Sequence, residues 1–338
     1  MPWTEPTFVS CMTLTASMMQ GLQDNFAAMA AQDSGAPPVT FANSTLVASA
    51  GLVTDVGCAG SWQADSGFAT TGVASLGALH VGSQHGLLPP WHISGLTLLQ
   101  HSADTGKGLD MLAGAARDAG DRGDMRLYAP LPNKRLDAAW SFGGSAGAMD
   151  SGTAQNDTWY HVHLIKRSDV GSVDALLSTS PESPVLPANF DRFRRLGGVL
   201  TDTSTTLIDF TAYALSGGGQ RTVWKERALD LDTTVASDGG TLVAMSVPTG
   251  PSVLAYGDIF LSNASTHREL ITGPDDDDVA ADDAHQTVRV QTGETANVVA
   301  RWSAMVNSAA QIRHRGSGGG AVNGLKITTI GWEDGRRP

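Results

Sequence analysis

Three short runs within residues 159–202 are the strongest structural signal in the chain: Trp159-Tyr160-His161-Val162-His163-Leu164-Ile165-Lys166-Arg167, then Val173-Asp174-Ala175-Leu176-Leu177-Ser178-Thr179-Ser180, then Phe193-Arg194-Arg195-Leu196-Gly197-Gly198-Val199. A polar turn joins the first two runs, and a loop framed by Pro184 and Pro187 precedes the third. Short runs rich in β-branched and aromatic residues and bounded by turn residues are typical of β-strands. The stretch therefore predicts part of a β-sheet, and it contains no recognisable catalytic constellation.

Similar short runs continue on both sides of this stretch. They are residues 93–98, 125–129, 136–140, 207–213, 221–226, 241–247, 253–262, 287–291, 298–306, 311–314 and 325–332. Strands at this spacing, with turn signals between them, are typical of a β-sandwich or a jelly roll. We expect an all-β chain of tandem β-sandwich or jelly-roll-like units with a short N-terminal helix.

The predicted helix covers roughly residues 15–31, where apolar residues recur at helical spacing. Met18, Leu22, Phe26 and Met29 follow one another at intervals of three or four residues and form a single apolar stripe. A helix this short needs a surface to pack against, either on its own domain or on a neighbouring subunit.

Composition divides the chain into four predicted parts. They are an extended arm and helix (residues 1–35), an irregular glycine-rich adaptor (36–91), a β-sandwich module (92–215) and a second β-sandwich or jelly-roll module (216–338). The paired prolines Pro89 and Pro90 stop regular structure near the second boundary, and the glycine-rich run 216–220 makes a flexible joint at the third.

Charge and cysteine content exclude several classes of function. The 338-residue chain carries a formal net charge of −12, which argues against binding to nucleic acid or to anionic lipid. Cys11 and Cys58 form no Cys-x-x-Cys pair, so we expect free thiols in a reducing cytosol. No run reaches the roughly 18 apolar residues of a membrane span. Glu5, with no basic segment before an apolar run, argues against a secretory signal.

Two histidines in the first run are candidate metal ligands. His161 and His163 are two residues apart, so in a strand they point to the same face, as two zinc ligands would. No third ligand follows at a recognisable spacing. A half-buried polar strand face is the simpler interpretation, and we predict no metal site here.

Aspartate clusters are candidate calcium sites. They are Asp275, Asp276, Asp277 and Asp278 with Asp282 and Asp283, the pair Asp104 and Asp110, and the triplet Asp118, Asp121 and Asp124. None has the alternate carboxylate spacing of a calcium loop, so solvated turns explain them better. Whether the acidic segment 275–283 binds a cation is left open by the sequence. The tripeptide Arg122-Gly123-Asp124 matches an adhesion motif, but so short a match means little alone.

Carboxylates and aromatic residues offer the remaining candidates. Two carboxylates facing each other would suit a glycan hydrolase, but nothing distinguishes Asp169, Asp174, Asp209 or Glu226 from turn and surface residues. Tryptophans in or beside predicted strands could stack on sugar rings, although filling the core is the simpler role. They are Trp140, Trp159, Trp224, Trp302 and Trp332. No nucleophile elbow or phosphate-binding loop is present in the sequence, and we predict no catalytic residues and no cofactor.

An ordered series of short motifs runs through the predicted strands. It consists of His92-Ile93-Ser94-Gly95-Leu96-Thr97-Leu98, Leu136-Asp137-Ala138-Ala139-Trp140, Met149-Asp150-Ser151-Gly152, Thr158-Trp159-Tyr160-His161-Val162-His163-Leu164-Ile165, Asp174-Ala175-Leu176-Leu177-Ser178, Arg194-Arg195-Leu196-Gly197 and Ile327-Thr328-Thr329-Ile330-Gly331-Trp332-Glu333-Asp334. With this series, residues 92–337 resemble a recurrent module of tailed-bacteriophage virion proteins of the tail-fibre and head-spike type. Residues 14–25 look like a head piece shared by many such proteins.

The resemblance implies a virion structural protein, made in the cytoplasm of the host bacterium, that carries no catalytic residues. Its N-terminal region would attach to other virion proteins, and the chain would form a homo-oligomer, a trimer in a fibre or spike or a fivefold ring at a vertex. Contact with a host-surface receptor or polysaccharide is expected, with no nucleic-acid or membrane partner. Two alternatives remain open, namely a glycan-degrading spike enzyme and a capsid cement or connector protein with no receptor role.

Overall fold

The computed structural model describes residues 88–236, 239–263, 265–291, 297–317 and 320–336. Within these ranges regular structure consists of 19 β-strands and one short 3₁₀ turn, with no α-helix. The predicted all-β fold is therefore confirmed. The predicted helix near residues 15–31, the arm, nearly all of the adaptor and both cysteines lie outside the described residues.

The strands follow one another closely along the chain. In order they are β1 Ile93–Gly95, β2 Leu98–Gln100, β3 Gly108–Met111, β4 Gly114–Arg117, β5 Asp124–Leu127, β6 Leu131–Ala139, β7 Gly147–Met149, β8 Trp159–Lys166, β9 Val173–Ser178, β10 Arg192–Leu200, β11 Phe210–Ala214, β12 Gln220–Ala236, β13 Thr241–Ala244, β14 Leu254–Ser262, β15 His267–Thr272, β16 Val288–Val290, β17 Asn297–Met305, β18 Gln311–Gly316 and β19 Gly320–Asp334. The 3₁₀ turn Ser216–Gly218 lies between β11 and β12.

The strands build four sheets. The first has three strands in the order β1-β4-β5, and the second has seven in the order β10-β8-β9-β7-β6-β3-β2. The third has five strands in the order β11-β12-β19-β14-β17, and the fourth has four in the order β13-β18-β15-β16. Pairing is antiparallel except where β7 lies parallel to β6 and to β9.

Several strands differ from the sequence prediction for a local reason. Residues 93–98, predicted as one strand, form two strands in different sheets. Gly95 and Leu96 both have positive φ, 64° and 54°, and this left-handed pair turns the chain between the sheets. Four further strands were not predicted from the sequence: β3, β4 and β7, which begin with glycine, and β15, which begins with three polar residues.

The sheets share one continuous hydrophobic core. Leu98, Tyr160, Trp224, Ile271 and Ile312, from three of the sheets, belong to the same buried cluster. Strands β11 to β19 form the third and fourth sheets. The first of these strands, β11, begins at Phe210, five residues before the end of the first predicted module at residue 215. The division into two modules that fold separately stays a prediction.

Three tryptophans join the second and third sheets. Trp159 on β8 lies with its ring centroid 6.0 Å from that of Trp224 on β12 and 5.6 Å from that of Trp332 on β19. Trp224 and Trp332 are 5.1 Å apart. Such contacts add to the apolar burial that holds two sheets together.

Candidate functional site

A cleft beside the edge strand β10 is the candidate functional site. Its volume is about 970 Å³, which lies in the range of sites that hold a small-molecule ligand. Two consecutive residues of β10, Arg194 and Arg195, both line it. Neighbouring residues of a regular strand point to opposite faces. A bulge between Arg195 and Gly197 breaks the pairing of β10 with β8 at this point, and such a bulge re-aims the side chains beside it.

A third arginine reaches the same cleft from the end of β19. The Arg336 guanidinium donates hydrogen bonds to the backbone carbonyl oxygens of Gly95 and Leu96, each at 3.1 Å, and to the side-chain oxygen of Gln220. Only 3% of Arg336 is exposed. Its contacts hold the start of the first sheet, the start of β12 and the end of β19 together at the cleft.

Asp334 lies among these arginines. Its Oδ2 lies 2.8 Å from Nη1 of Arg195, and its Oδ1 accepts a hydrogen bond of 2.7 Å from the backbone N–H of Arg336. Arg194 donates through Nη2 to the carbonyl oxygen of Arg336. At the floor of the cleft one carboxylate therefore lies among three guanidinium groups.

His161 extends this network into the sheet. The Nε of Arg195 donates to its Nδ1 at 3.1 Å, so the imidazole proton is carried by Nε2. Burial, followed by the nearby charge of Arg195 and then of His163, lowers the pKa of His161 to about 3. His161 is therefore neutral near pH 7 and positions Arg195 as a hydrogen-bond acceptor.

The walls of the cleft are largely apolar, and one of them is tightly packed. Phe193, Pro181, Pro251 and Val253 supply apolar lining surface. Gly250 has a φ of +97°, and a Cβ at this position would lie 2.5 Å from Cγ of Pro181. A side chain at Gly250 would therefore be strained and would press on the wall.

His163 is placed apart from the network, although it shares a strand with His161. Its Nε2 donates to the carbonyl oxygen of Ser180 at 3.0 Å. Burial lowers its pKa to about 4, despite the opposing effect of this bond. In the part of the chain that the structure describes, no group of three or more histidine, cysteine or acidic side chains could hold a metal ion.

Arginines pair with two aspartates of the acidic segment 275–283. Asp278 pairs with Arg315 at 2.9 Å, and Asp283 pairs with Arg268 at 2.6 Å. The Asp282 carboxylate accepts from the backbone N–H groups of His285 and Ala284, and these bonds lower its pKa. The segment is therefore fixed to strands β15 and β18 by its own carboxylates.

The other aspartate candidates have separate partners. Asp110 contacts His101 at 2.8 Å, and Asp104 pairs with Arg135. Asp118 accepts from the backbone N–H groups of residues 122 and 123 in a tight turn. Asp121 and Asp124 both pair with the buried Arg117, at 2.6 and 3.1 Å. The Arg122-Gly123-Asp124 tripeptide lies in this turn, with Asp124 committed to Arg117.

The carboxylates considered for glycan hydrolysis are not paired with one another. Asp169 pairs with Arg167, Asp209 with Lys225 and the buried Asp174 with Lys134, while Glu226 is exposed on β12. The tryptophans belong to the packing of the fold. Trp224, Trp302 and Trp332 are buried in the main core, Trp159 packs against it, and Trp140 packs on Phe190.

The sequence patterns predict no site role for the charged residues on the cleft floor. Arg194 and Arg195 belong to one of the short motifs, and Arg336 belongs to none of them. A signal was present, since two consecutive arginines in an apolar strand must find polar partners when the strand is buried. Their partners, Asp334 and the end of β19, are too distant along the chain for a pattern to connect them.

No family model matches the chain, and no curated protein matches it. A solved structure titled "Structure of infectious bursal disease virus Gx strain" aligns with 71% of this chain and 66% of that chain, just under two thirds of its length. The sequence identity is 11% and the TM-score is 0.15, so this likeness indicates neither the fold nor the function of this chain. No helix in the described ranges is long and apolar enough to cross a membrane.

Proposed function

We propose that the chain is a structural protein of a bacteriophage virion, of the tail-fibre or head-spike type, and that it contacts the host cell surface. The proposal rests on the short motifs that resemble those of phage virion proteins, because three of them lie side by side in the folded chain. Residues 158–165, 194–197 and 327–334 lie far apart along the chain, yet His161, Arg195 and Asp334 from these motifs form one bonded network. The network forms part of the floor of a ligand-sized cleft.

The all-β architecture supports the same role. Closely packed antiparallel sheets with short turns make a rigid body that can be repeated in a symmetric assembly. A negatively charged chain is compatible with solubility at the high local concentration of such an assembly. Weak single contacts with a host polysaccharide become strong when an oligomer presents several clefts at once.

Immunogold electron microscopy tests the proposal. Antibodies raised against the purified chain are applied to intact particles from a lysate of the producing bacterium. Label at the tail tip or at vertices is the expected result, and particles that carry no label would overturn the proposal. Label spread between capsid subunits, with no binding of the purified chain to host cells, would favour the cement role instead.

A second assay separates binding from glycan degradation. Purified protein is incubated with host capsule or lipopolysaccharide, and both retention and released reducing ends are measured. We expect retention without release. Release that stops in a Glu182→Gln or Glu333→Gln variant would favour the enzyme, because these two carboxylates line the cleft together with Asp334.

A further inference from the structure

A lysine and an aspartate are buried side by side in the seven-stranded sheet. Lys134 lies on β6 and Asp174 on β9, and their side chains are 2% and 0% exposed. Nζ of the lysine lies 3.3 Å from Oδ2 of the aspartate. The amine is therefore in contact with a carboxyl group, and contacts of about 3–3.5 Å are those from which two groups react. An amine and a carboxyl group join as an amide with loss of water.

An aromatic side chain covers this pair. Nζ of Lys134 lies 5.6 Å from the centroid of the Trp140 ring, which packs edge-on against Phe190 with the centroids 5.1 Å apart. The Trp140 indole N–H donates to the carbonyl oxygen of Ala175 at 3.1 Å, and this bond holds the ring beside β9. The exclusion of water favours condensation, because water is the reactant that hydrolyses an amide.

Two backbone carbonyl groups orient the amine. Nζ of Lys134 donates to the carbonyl oxygen of Ser141 at 2.8 Å and to that of Gly143 at 3.2 Å. A carbonyl oxygen can only accept, so each of the two takes an N–H group of the amine. A neutral amine has two N–H groups and one lone pair. With both N–H groups engaged in this way, the lone pair is left to face the third neighbour, which is the Asp174 carboxyl group.

Two backbone N–H groups hold the carboxyl group. The N–H of Ala175 donates to Oδ1 of Asp174 at 2.7 Å, and the N–H of Gly143 donates to Oδ2 at 3.0 Å. When an amine attacks a carboxyl carbon, negative charge moves onto a carboxyl oxygen, and fixed N–H donors stabilise that charge. The Ala175 N–H is in place for charge on Oδ1, and the Gly143 N–H supports Oδ2, the oxygen in contact with the amine.

Burial makes the reactive forms of both groups accessible. It lowers the pKa of the Lys134 amine and raises the pKa of the Asp174 carboxyl group, although the charge of each partner opposes the shift. One proton transfer from Nζ to Oδ2 therefore turns the ion pair into a neutral amine and a neutral acid at less cost than in water. The neutral amine is the nucleophile, and the protonated oxygen is the better leaving group.

We propose that Lys134 and Asp174 become joined by an intramolecular amide bond. Nζ forms a bond to the carboxyl carbon, and the bond from that carbon to Oδ2 breaks. Oδ2 leaves as water with two protons, the one already transferred from the ammonium group and a second one lost by the attacking nitrogen. The third proton stays on the amide nitrogen, so no oxidant or other reactant is needed.

The bond would connect two strands that are not neighbours in the sheet. Strand β7 lies between β6 and β9, and the joined residues are 40 positions apart along the chain. Such a link constrains the unfolded chain and keeps the two strands together under force. Asp174 is the acidic group that acts on Lys134, so the reacting carboxyl group supplies its own acid and we expect slow formation after folding. Formation depends on the folded sheet alone, not on the proposed place in a virion.

Mass spectrometry of the denatured full chain tests the bond. Masses are measured directly after refolding and again after the native protein has been stored for a week. We expect part of the chain to lose the mass of one water molecule and the linked fraction to grow with time. Proteolysis should then give one branched peptide pair in which Lys134 is joined to Asp174. A chain that keeps its full mass after storage would overturn the proposal, as would water loss confined to a single linear peptide.

Lys326 and Asp232 supply a matched control on the surface. Their Nζ and Oδ2 are only 2.8 Å apart, but the side chains are 45% and 51% exposed. Water stabilises the charged forms, which do not condense, so no peptide pair that joins these two residues is expected. A link between them as abundant as the buried one would show that contact alone suffices, and it would overturn the role of burial.

Two variants locate the reaction. Lys326→Arg should lose water as the parent chain does, whereas Lys134→Arg should keep its full mass, because a guanidinium group does not form the amide. Water loss in Lys134→Arg equal to that of the parent chain would contradict the assignment. The branched peptide pair of the parent chain decides the question even if Lys134→Arg does not fold.

Discussion

Arg195 and Asp334 join two sheets of the molecule through an ion pair of 2.8 Å between Nη1 and Oδ2. Arg195 lies on the edge strand of the seven-stranded sheet, and Asp334 is the last residue of β19 in the five-stranded sheet. The exposed fractions of their side chains are 11% and 3%. A pair buried this deeply adds little over an apolar contact, but removing one partner leaves the other charge without compensation.

Asp334→Asn is therefore expected to lower the free energy of unfolding by about 3 kcal/mol, because Arg195 would lose its counter-charge beside two other buried arginines. Urea unfolding followed by tryptophan fluorescence measures the change. Glu333→Gln is the matched control, since Glu333 pairs with the more exposed Arg221 and should cost less than about 1 kcal/mol. Equal losses in the two variants would contradict the special role of the buried position.

Trp332→Ala is expected to loosen both sheets that the tryptophan cluster joins. Truncating a buried tryptophan costs about 3–5 kcal/mol, and the cavity would open between β8 and β12. Hydrogen exchange should become faster in β8 as well as in β12 and β19. Faster exchange confined to β12 and β19 would instead indicate that the two halves are independent modules. Tyr128→Ala, at a residue 85% exposed, is the control and should change stability by less than about 0.5 kcal/mol.

Sequence patterns predicted the strands whose side chains alternate or are bulky, such as β8, β14 and β17. They failed for β3, β4 and β7, because these strands are short and begin with glycine, a residue typical of turns. They also failed for β15, which begins with the three polar residues His267, Arg268 and Glu269, although its side chains alternate between buried and partly exposed. The same limit applies to the cleft. His161, Arg195 and Asp334 lie on three strands, and only the pairing of those strands and the packing of two sheets bring them together. The tryptophans were assigned correctly, since large aromatic residues in strands are usually buried.

Acid should weaken the fold through Glu269, which is fully buried between two histidines. Its Oε1 lies 3.0 Å from Nε2 of His267, and its Oε2 lies 3.4 Å from Nδ1 of His314. Burial alone would raise the pKa of Glu269, but the bonds from His267 and His314 lower it below its usual 4.5. A carboxylate with a lowered folded-state pKa stabilises the fold above its unfolded pKa, and this contribution is lost as the pH falls through the folded value.

The free energy of unfolding is therefore expected to fall as the pH is lowered below the usual pKa of 4.5. Glu269→Gln should reduce the stability at pH 7 and make the acid-induced loss less steep, because the amide does not titrate. Denaturant unfolding at a series of pH values measures both effects. The exposed Glu226→Gln serves as the control, and an acid profile in Glu269→Gln as steep as in the parent chain would show that other groups cause the loss.

Before any bond joins them, Lys134 and Asp174 form a second buried ion pair. Replacing one of the two residues should lower the free energy of unfolding much more than replacing both. The Nζ of Lys134 lies 3.3 Å from Oδ2 of Asp174, and the side chains are 2% and 0% exposed. Burial lowers the pKa of Lys134 and raises that of Asp174, so the charged pair is held against the cost of desolvation. Asp174 also accepts from the backbone N–H groups of Ala175 at 2.7 Å and Gly143 at 3.0 Å.

Lys134→Met leaves the Asp174 carboxylate buried without a cation, and we expect a loss of about 3 kcal/mol in the free energy of unfolding. Adding Asp174→Asn should restore a large part of it, because the amide oxygen can still accept from Ala175 or Gly143 while carrying no charge. A double-mutant cycle measured by urea unfolding gives the coupling energy of the pair. If the double variant is no more stable than Lys134→Met alone, the charge of Asp174 is not what makes the single change costly. The loss of the bonds that Lys134 Nζ donates to the carbonyl oxygens of Ser141 and Gly143, at 2.8 and 3.2 Å, would then explain it.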